Sequence, residues 1–286
     1  VPASVISALQ DGTVTVTASV TDAAGNTGTG SHNVTDDTGL PSVAFNAISD
    51  DNVLNAVEKA QDLIVSGTSA NLAEGTAVTV TLNGKNYTAT TVADGTWSLT
   101  VPAADLAGLG QANYTLNATA TNGVGNSVSN TANLLVDTAL PTVTINTVAG
   151  DNVINAAEVA AGQTLSGTVA NAEAGNTVTV TIGGNTYTAT VQNDLTWSIN
   201  VPSDVLTALG KGSLSLTATV TNGHGNTGTG EREIAIDANL PGLRVDTVAG
   251  DNVINSIEHA QNLIVTGSSD GLASGTALTV TVNGKD

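Results

Sequence analysis

The sequence predicts an all-β protein made of tandem antiparallel β-sandwiches. A repeat of 100 residues runs through the chain, because Pro41, Pro141 and Pro241 hold the same place in successive copies. Within each copy, apolar residues alternate with Thr and Ser, which is typical of strands that bury one face. Turn-forming residues separate these runs. Each copy therefore holds about seven short strands, as expected for a sandwich of about 100 residues.

The repeat sets the expected domain boundaries. Two complete copies span 41–140 and 141–240, and we expect each to fold as one domain and to follow the other in a rod. Residues 1–40 match the C-terminal part of a copy, and residues 241–286 match the N-terminal part. Incomplete copies leave open sheet edges. We therefore expect the end segments either to pair between neighbouring molecules or to be poorly ordered.

Alternation places the strands within the first complete copy. Every second residue is apolar at 78–82, 97–101 and 114–120. The dipeptide Asn83-Gly84 stands between two such runs, where positive φ angles close a two-residue hairpin, and Gly183-Gly184 does the same in the second copy. Only 102–110 and 202–210 predict a helical turn between strands. Trp97 alternates with Leu99, which favours a place in the core over a sugar-stacking role.

Composition excludes several classes of function. The chain has 25 Asp and Glu against 6 Lys and Arg, a net charge of −19. Six scattered basic residues cannot neutralise phosphates, so nucleic acid is excluded as a partner. The absence of Cys excludes disulfides, zinc thiolates and cysteine nucleophiles. Since no run of about 18 apolar residues occurs, membrane insertion is excluded as well.

Acidic residues recur at fixed positions outside the predicted strands. The three sets are Asp37, Asp137 and Asp237; Asp51, Asp151 and Asp251; and Glu58, Glu158 and Glu258. A sandwich core needs recurring Val and Leu, but it does not need recurring carboxylates in loops. Two carboxylates about 4 Å apart repel by roughly 4 kcal/mol at an effective dielectric of 20. Calcium accepts six to eight oxygen ligands in irregular geometry and would relieve this repulsion.

The first kind of calcium site predicted by this pattern bridges two successive copies. The first and last strands of a sandwich both run towards the same junction, so Asp50, Asp51 and Asp137 should meet there. The loop before the last strand of the next copy adds Asn222 or Asn226. The corresponding ligands at the other junctions are Asp37, Asn122 and Asn126, and Asp151, Asp237 and Asp270.

The second kind of site is local to the segment that reads DNVIN in the second copy. Asp151, Asn152, Asn155 and Glu158 offer oxygens at spacings of one, three and three residues. The same positions in the other copies include Asp51, Glu58, Asp251 and Glu258. A structural alternative remains open, because Asp and Asn are common in turns. Glu158 would then belong to a helical turn capped by Asn155.

Other polar residues do not indicate catalysis. His32, His224 and His259 align with Ala132, Val124 and Lys59, so no histidine recurs. Carboxylate pairs such as Glu231 and Glu233 suggest glycoside hydrolysis, but no insertion interrupts the repeat to form a pocket. We therefore expect no enzymatic activity.

Four motifs carry a resemblance to a known family. They are the D-x-x-L-P linker, the DNVINxxE segment, TWSLTVP or TWSINVP, and TNGxGN before the last strand. Together these resemble the bacterial Ig-like domains of giant, type I-secreted, calcium-binding non-fimbrial adhesins, over essentially the whole chain. The chain departs from antibody domains, since it has no Cys pair and its Trp lies on a later strand. It also lacks the RTX nonapeptide.

The resemblance implies a structural stalk segment on a Gram-negative cell surface. Such a chain is exported unfolded through a type I channel, and calcium then folds and stiffens it against its neighbouring domains. A distal tip would bind a host receptor or glycan. The alternative is a binding module that itself recognises host glycan or protein. The chain has only 2% aromatic residues, and few of the Tyr, Trp or Arg anchors that dominate binding sites, which favours the stalk.

Overall fold

The computed structural model describes residues 1–285 and confirms the all-β class. Contacts divide the chain into two compact units. The first consists of Val1–Leu140 and Gly223–Asn226, and the second of Pro141–Asn222 with the residues from Thr227 onward. No helix within residues 1–285 is both long and apolar enough to cross a bilayer.

The N-terminal segment is a hairpin with an uncovered apolar face. Its elements are α1 (Ala3–Ile6), β1 (Gly12–Thr21) and β2 (Thr27–Asp36). Strands β1 and β2 pair antiparallel over their whole length. Val16 and Val20 are 53% and 72% exposed, whereas the equivalent Leu116 and Ala120 of the next copy are buried. One face of the hairpin therefore has the apolar residues that line a sandwich core in the next copy.

The first complete repeat forms two sheets. Its elements are β3 (Ser42–Phe45), β4 (Val53–Leu54), a 3-10 turn (Glu58–Ala60), β5 (Leu63–Ala70), β6 (Ala77–Leu82), β7 (Lys85–Thr90), β8 (Thr96–Val101), α2 (Ala103–Leu106), β9 (Ala112–Thr121) and β10 (Ser127–Val136). One sheet has the order β3-β5-β8 and the other β4-β10-β9-β6-β7. All pairs are antiparallel except β4 with β10.

The core of this repeat lies between the apolar faces of its strands, as the alternation predicts. Val78, Val80 and Leu116 are fully buried, and Trp97 is 2% exposed. The indole Nε1 of Trp97 donates to the carbonyl of Thr68 at 3.2 Å. Gly67 is required beside this ring, because a Cβ there would collide with the indole and with the backbone of β3. The prediction of a core Trp is confirmed.

The second complete repeat has the same sheet order. Its elements are β11 (Thr142–Val143), β12 (Val153–Asn155), α3 (Ala156–Ala161), β13 (Gln163–Ala170), β14 (Thr177–Ile182), β15 (Asn185–Thr190), β16 (Thr196–Val201), α4 (Ser203–Leu209), β17 (Gly212–Thr221) and β18 (Thr227–Asp237). The sheets are β11-β13-β16 and β12-β18-β17-β14-β15. Gly183 and Gly184, at φ 52° and 83°, close the predicted hairpin between β14 and β15.

The C-terminal segment matches the start of a repeat in sequence. It contains β19 (Gly242–Val245), β20 (Gly267–Asp270) and two 3-10 turns (Val248–Gly250 and Glu258–Ala260). Strands β19 and β20 pair antiparallel. Leu278 and Val280 are 56% and 52% exposed, although their equivalents Val78 and Val80 are fully buried. This segment therefore also has apolar residues that line a sandwich core in the complete copies.

Two features go beyond the expectations from alternation. The pairs β4–β10 and β12–β18 are parallel and only two or three residues long, too short for a period of two to be visible. Helix α3 follows β12 directly, and Asn155 caps it. This helix is the structural alternative that the sequence left open for Asn155 and Glu158.

Candidate metal-binding linkers

The short parallel strand pairs bring the predicted ligand segments to the linkers. In the first repeat, the N–H of Leu135 donates to the carbonyl of Asn52 at 2.9 Å, and that of Asp137 donates to Leu54 at 3.1 Å. In the second repeat, Asn155 lies opposite Asp237 in the β12–β18 register. The segment of Asp51 and Asn55 therefore lies beside the linker Asp of the same repeat, at one end of the larger sheet.

Asp51 and Asn52 stabilise a tight turn. One carboxylate oxygen of Asp51 accepts from the N–H of Val53 at 2.8 Å, which is an Asx turn. The side-chain oxygen of Asn52 accepts from the N–H of Ile48 at 3.0 Å, and Asn52 has a φ of 65°. The same two hydrogen bonds recur in the other copies, made by Asp151, Asn152, Asp251 and Asn252.

Asn155 and Glu158 form a capping box. The side-chain oxygen of Asn155 accepts from the N–H groups of Ala157 and Glu158, and Glu158 Oε2 accepts from the N–H of Asn155 at 2.9 Å. The same three bonds occur in the other copies, at Asn55 with Glu58 and at Asn255 with Glu258. Local backbone structure is therefore sufficient to explain why these two positions recur.

The linker Asp residues make a third recurring turn. Asp37, Asp137 and Asp237 each accept from the N–H two residues further on, at 3.1, 3.0 and 3.3 Å. In the first two cases an Asn side chain also holds the linker backbone. Asn126 Nδ2 donates to the carbonyl of Asp37 at 3.0 Å, and Asn226 Nδ2 donates to that of Asp137 at 2.9 Å. The structure thus brings both predicted pairs together.

Among the three linker Asp residues, Asp137 has the most extensive contacts with other segments of the chain. We define the Asp137 cluster as Ala56, Asp137, His224 and Asn226. His224 Nδ1 lies 2.6 Å from Asp137 Oδ2, and Asn226 Oδ1 accepts from the N–H of Ala56 at 2.9 Å. Asn226 is buried. The N–H of Ala139, followed by the hydrogen bond with His224, lowers the pKa of Asp137 below its ordinary value of 3.8.

The remaining predicted ligands have fewer contacts with the linker Asp residues. Asp50 is exposed at a φ of 61° and lines a shallow groove with Glu58 and Asp62. Asp270 ends β20 opposite Gly242. In the described part of the chain, no hydrogen bond or ion pair joins Asp50 or Asp270 to a linker Asp. Asn122, the equivalent of Asn222, donates to the Gly39 carbonyl at 3.5 Å, and Asn222 donates to the Asn171 carbonyl at 3.3 Å.

Sequence reasoning missed two participants. His224 does not recur, so the repeat pattern gave no reason to select it. A usable signal was its position in the loop that was expected to face Asp137. Asp62 was missed as well, and its carboxylate accepts from the N–H of Ala103 at 2.8 Å, which positions the start of α2.

The donor set fits calcium in its chemistry. Carboxylate, amide and backbone oxygens dominate the linkers, and these are the ligands of a hard cation. Among residues 1–285, no three Asp, Glu or His side chains lie close enough together to hold one metal ion. Calcium in this region would therefore need carbonyl oxygens in addition to one or two carboxylates, a mixture that calcium accepts.

Comparison with solved structures places the repeats among bacterial adhesin domains. A Ca²⁺-stabilised adhesin that helps an Antarctic bacterium reach out and bind ice is 33% identical, with a TM-score of 0.50 over 91% of this chain and 65% of that one. A structure from a 1.5-MDa bacterial ice-binding adhesin is 28% identical, with a TM-score of 0.47 over 81% of this chain and 76% of that one.

A single bacterial immunoglobulin-like domain from the M. primoryensis ice-binding adhesin is 39% identical. The match covers 35% of this chain and 97% of that domain, with a TM-score of 0.27. No family model matches this chain, and no curated protein matches it.

Proposed function

We propose, from the premise that this chain belongs to the Ig-like repeat domains of giant bacterial adhesins, that it is a stalk segment stiffened by calcium at its linkers. In this role it has no enzymatic activity. A distal region of the adhesin binds the host receptor or glycan, and this segment carries that region away from the Gram-negative cell surface.

The observation that supports this proposal most strongly is the repeated contact between an Asn side chain and a linker Asp. Asn126 and Asn226 donate to the carbonyls of Asp37 and Asp137 at 3.0 and 2.9 Å. A linker that serves only as a flexible tether needs no such contact. Its occurrence in two copies favours a linker held in one conformation.

Calcium would complete this arrangement. Asp51 and Asp137, with Asn226 and backbone oxygens of the linker, would hold the ion at the second linker. Asp37 with Asn122 and Asn126 would do so at the first. Bound calcium supplies positive charge that offsets the repulsion between carboxylates. At 100 times its dissociation constant, one ion stabilises the occupied state by about 2.7 kcal/mol.

Export through a type I channel agrees with the composition. The chain has no Cys, so no disulfide can form before it passes through the channel unfolded. Cytosolic calcium is scarce, and the higher calcium concentration outside the cell would favour folding there.

The test is small-angle X-ray scattering of the wild type and of Asp137→Ala, each with calcium and with a chelator. We expect chelation to broaden the distribution of maximum dimensions in the wild type and to change Asp137→Ala much less. Asp94→Ala is the matched control, because Asp94 only stabilises a turn before β8. A wild-type distribution that chelation leaves unchanged would disprove calcium stiffening. Binding of the chain to a glycan array would instead favour the binding-module alternative.

A further inference from the structure

Arg232 fills a notch in the second repeat, which we define by Ile145, Asn152 and Arg232 itself. It lies on β18 and is half-buried. Its Nε donates to the carbonyl of Ile145 at 2.7 Å, and its Nη1 lies 3.4 Å from Asn152 Oδ1. The guanidinium therefore joins the segment that follows β11 to the turn at Asn152, and it uses two of its five N–H donors to do so.

The first repeat has the same notch without the arginine. Ala132 takes the position of Arg232, and Phe45 and Asn52 take those of Ile145 and Asn152. A shallow groove of about 500 Å³ remains there, lined by Phe45, Asn46, Asn52, Ala132 and Asn133 among others. Asn52 is exposed, whereas its equivalent Asn152 is half-buried.

The acceptors of the groove are held in the same way as those beneath Arg232. Asn52 Oδ1 is fixed by the N–H of Ile48 at 3.0 Å, and Asn152 Oδ1 by that of Val148 at 3.1 Å. Their φ angles are 65° and 67°. The carbonyl of Phe45 faces the same edge of β3 as that of Val43. Asn130 Nδ2 donates to the carbonyl of Val43 at 2.8 Å. Among the described residues, no side chain donates to the carbonyl of Phe45.

The acceptors of the groove match those that bind the guanidinium of Arg232 in the second repeat. In the second repeat, two N–H groups of one planar fork reach two separate acceptors, which the single ammonium of lysine cannot do in the same way. The net charge of −19 attracts cationic partners over a longer range. We propose that this groove of the first repeat binds an arginine side chain from a basic segment of a partner protein.

The test uses the whole chain and nuclear magnetic resonance titration. The probe is N-acetyl-arginine amide, and its neutral isostere N-acetyl-citrulline amide is the control ligand. We expect saturable shifts at Asn46, Asn52 and Asn133 with the arginine probe, with a dissociation constant on the order of millimolar. Binding of the citrulline probe should be weaker by about tenfold or more, because its hydrogen bonds lack the positive charge. Equal binding of both probes would overturn the proposal.

Two substitutions change the expected number of sites in opposite directions. Ala132→Arg should fill the groove from within and abolish the shifts, leaving no site. Arg232→Ala should open the notch of the second repeat and add shifts near Asn152, giving two sites. Ala132→Leu, which blocks the groove without charge, replaces Ala132→Arg if that variant does not fold. Shifts that persist in a folded, blocked variant, or an Arg232→Ala variant without a second site, would each contradict the proposal.

Discussion

His224 Nδ1 lies 2.6 Å from Oδ2 of Asp137, and the two side chains are 37% and 22% exposed. The equivalent loop of the first repeat has Val124 in place of His224, so within residues 1–285 only the linker at Asp137 has both an Asn contact and a histidine contact. When the imidazole of His224 is protonated, an ion pair at this exposure contributes about 0.2–1 kcal/mol. It therefore supplements the Asn226 contact rather than replacing it.

Replacement of His224 by Val should lower the free energy of unfolding by less than about 1 kcal/mol, because the lost ion pair is partly screened by solvent. Urea unfolding near pH 6 measures the change. His32→Val, at an exposed position on β2, should leave stability unchanged. Equal losses in both variants would contradict a specific role for His224.

Asp137 should make stability depend on acid. Its pKa is lowered by the N–H of Ala139 and then by His224. A carboxylate with a lowered pKa stabilises the folded state above its unfolded pKa, and this contribution is lost as the pH falls through the folded value. The difference in unfolding free energy between wild type and Asp137→Asn should be present in full near pH 5 and shrink below about pH 4. Urea unfolding from about pH 2 to 6 tests this, and a constant difference over the whole range would contradict it.

Tyr87 should ionise at a higher pH than an ordinary tyrosine. Burial, followed by the hydrogen bond from its hydroxyl to Asp105 and the charge of Asp105, raises the pKa of Tyr87 to about 12. Because the folded value exceeds the unfolded one, its contribution to stability is complete below about pH 10 and is lost as the pH rises through about 12. Ultraviolet titration of the phenolate measures the midpoint. Asp105→Asn should move it towards 10, and an unchanged midpoint would show that burial alone sets it.

Gly67→Ala should destabilise the first repeat by about 1–3 kcal/mol or more, because the added methyl group overlaps the Trp97 ring and the Ala44 carbonyl. Tryptophan fluorescence during denaturant unfolding reports on this site. Gly110→Ala is the matched control, since a Cβ at that position meets nothing. Equal stability of the two variants would mean that the strands near Trp97 separate easily.

Asn155→Ala should cost about 1 kcal/mol through loss of the helix cap. Asn155→Ser should retain most of the stability, because Ser also caps helices well. Thermal unfolding in calcium and in chelator separates the two roles that the sequence allowed. Equal losses in both buffers identify Asn155 as a cap only, whereas a larger loss in calcium would show that it is also a ligand.

The strands and the core could be predicted because they depend on a local pattern. Val78, Val80 and Trp97 alternate with polar residues, and burial of one strand face produces that alternation directly. The short strand β12 and helix α3 leave no such pattern, since the first is three residues long and the second is defined by its cap.

The candidate site was predictable only in part. Recurrence identified Asp137 and Asn226, and the structure joins them. Recurrence alone could not separate a ligand from a turn former, and Asn155 with Glu158 shows why, because a capping box also requires the same two residues in every copy. His224 and Arg232 act through contacts with residues 87 positions away in the sequence. Such contacts leave no trace in the local pattern.

The turn at Asp51 and Asn52 has a consequence for how such a chain changes in length. Its hydrogen bonds to Val53 and Ile48 arise within one copy, as do those of the matching turns at 151 and 251. Removal or duplication of a whole 100-residue block would leave every one of these turns intact. Recombination between copies can therefore lengthen or shorten the molecule by whole repeats. Each remaining turn would still form from the same local residues.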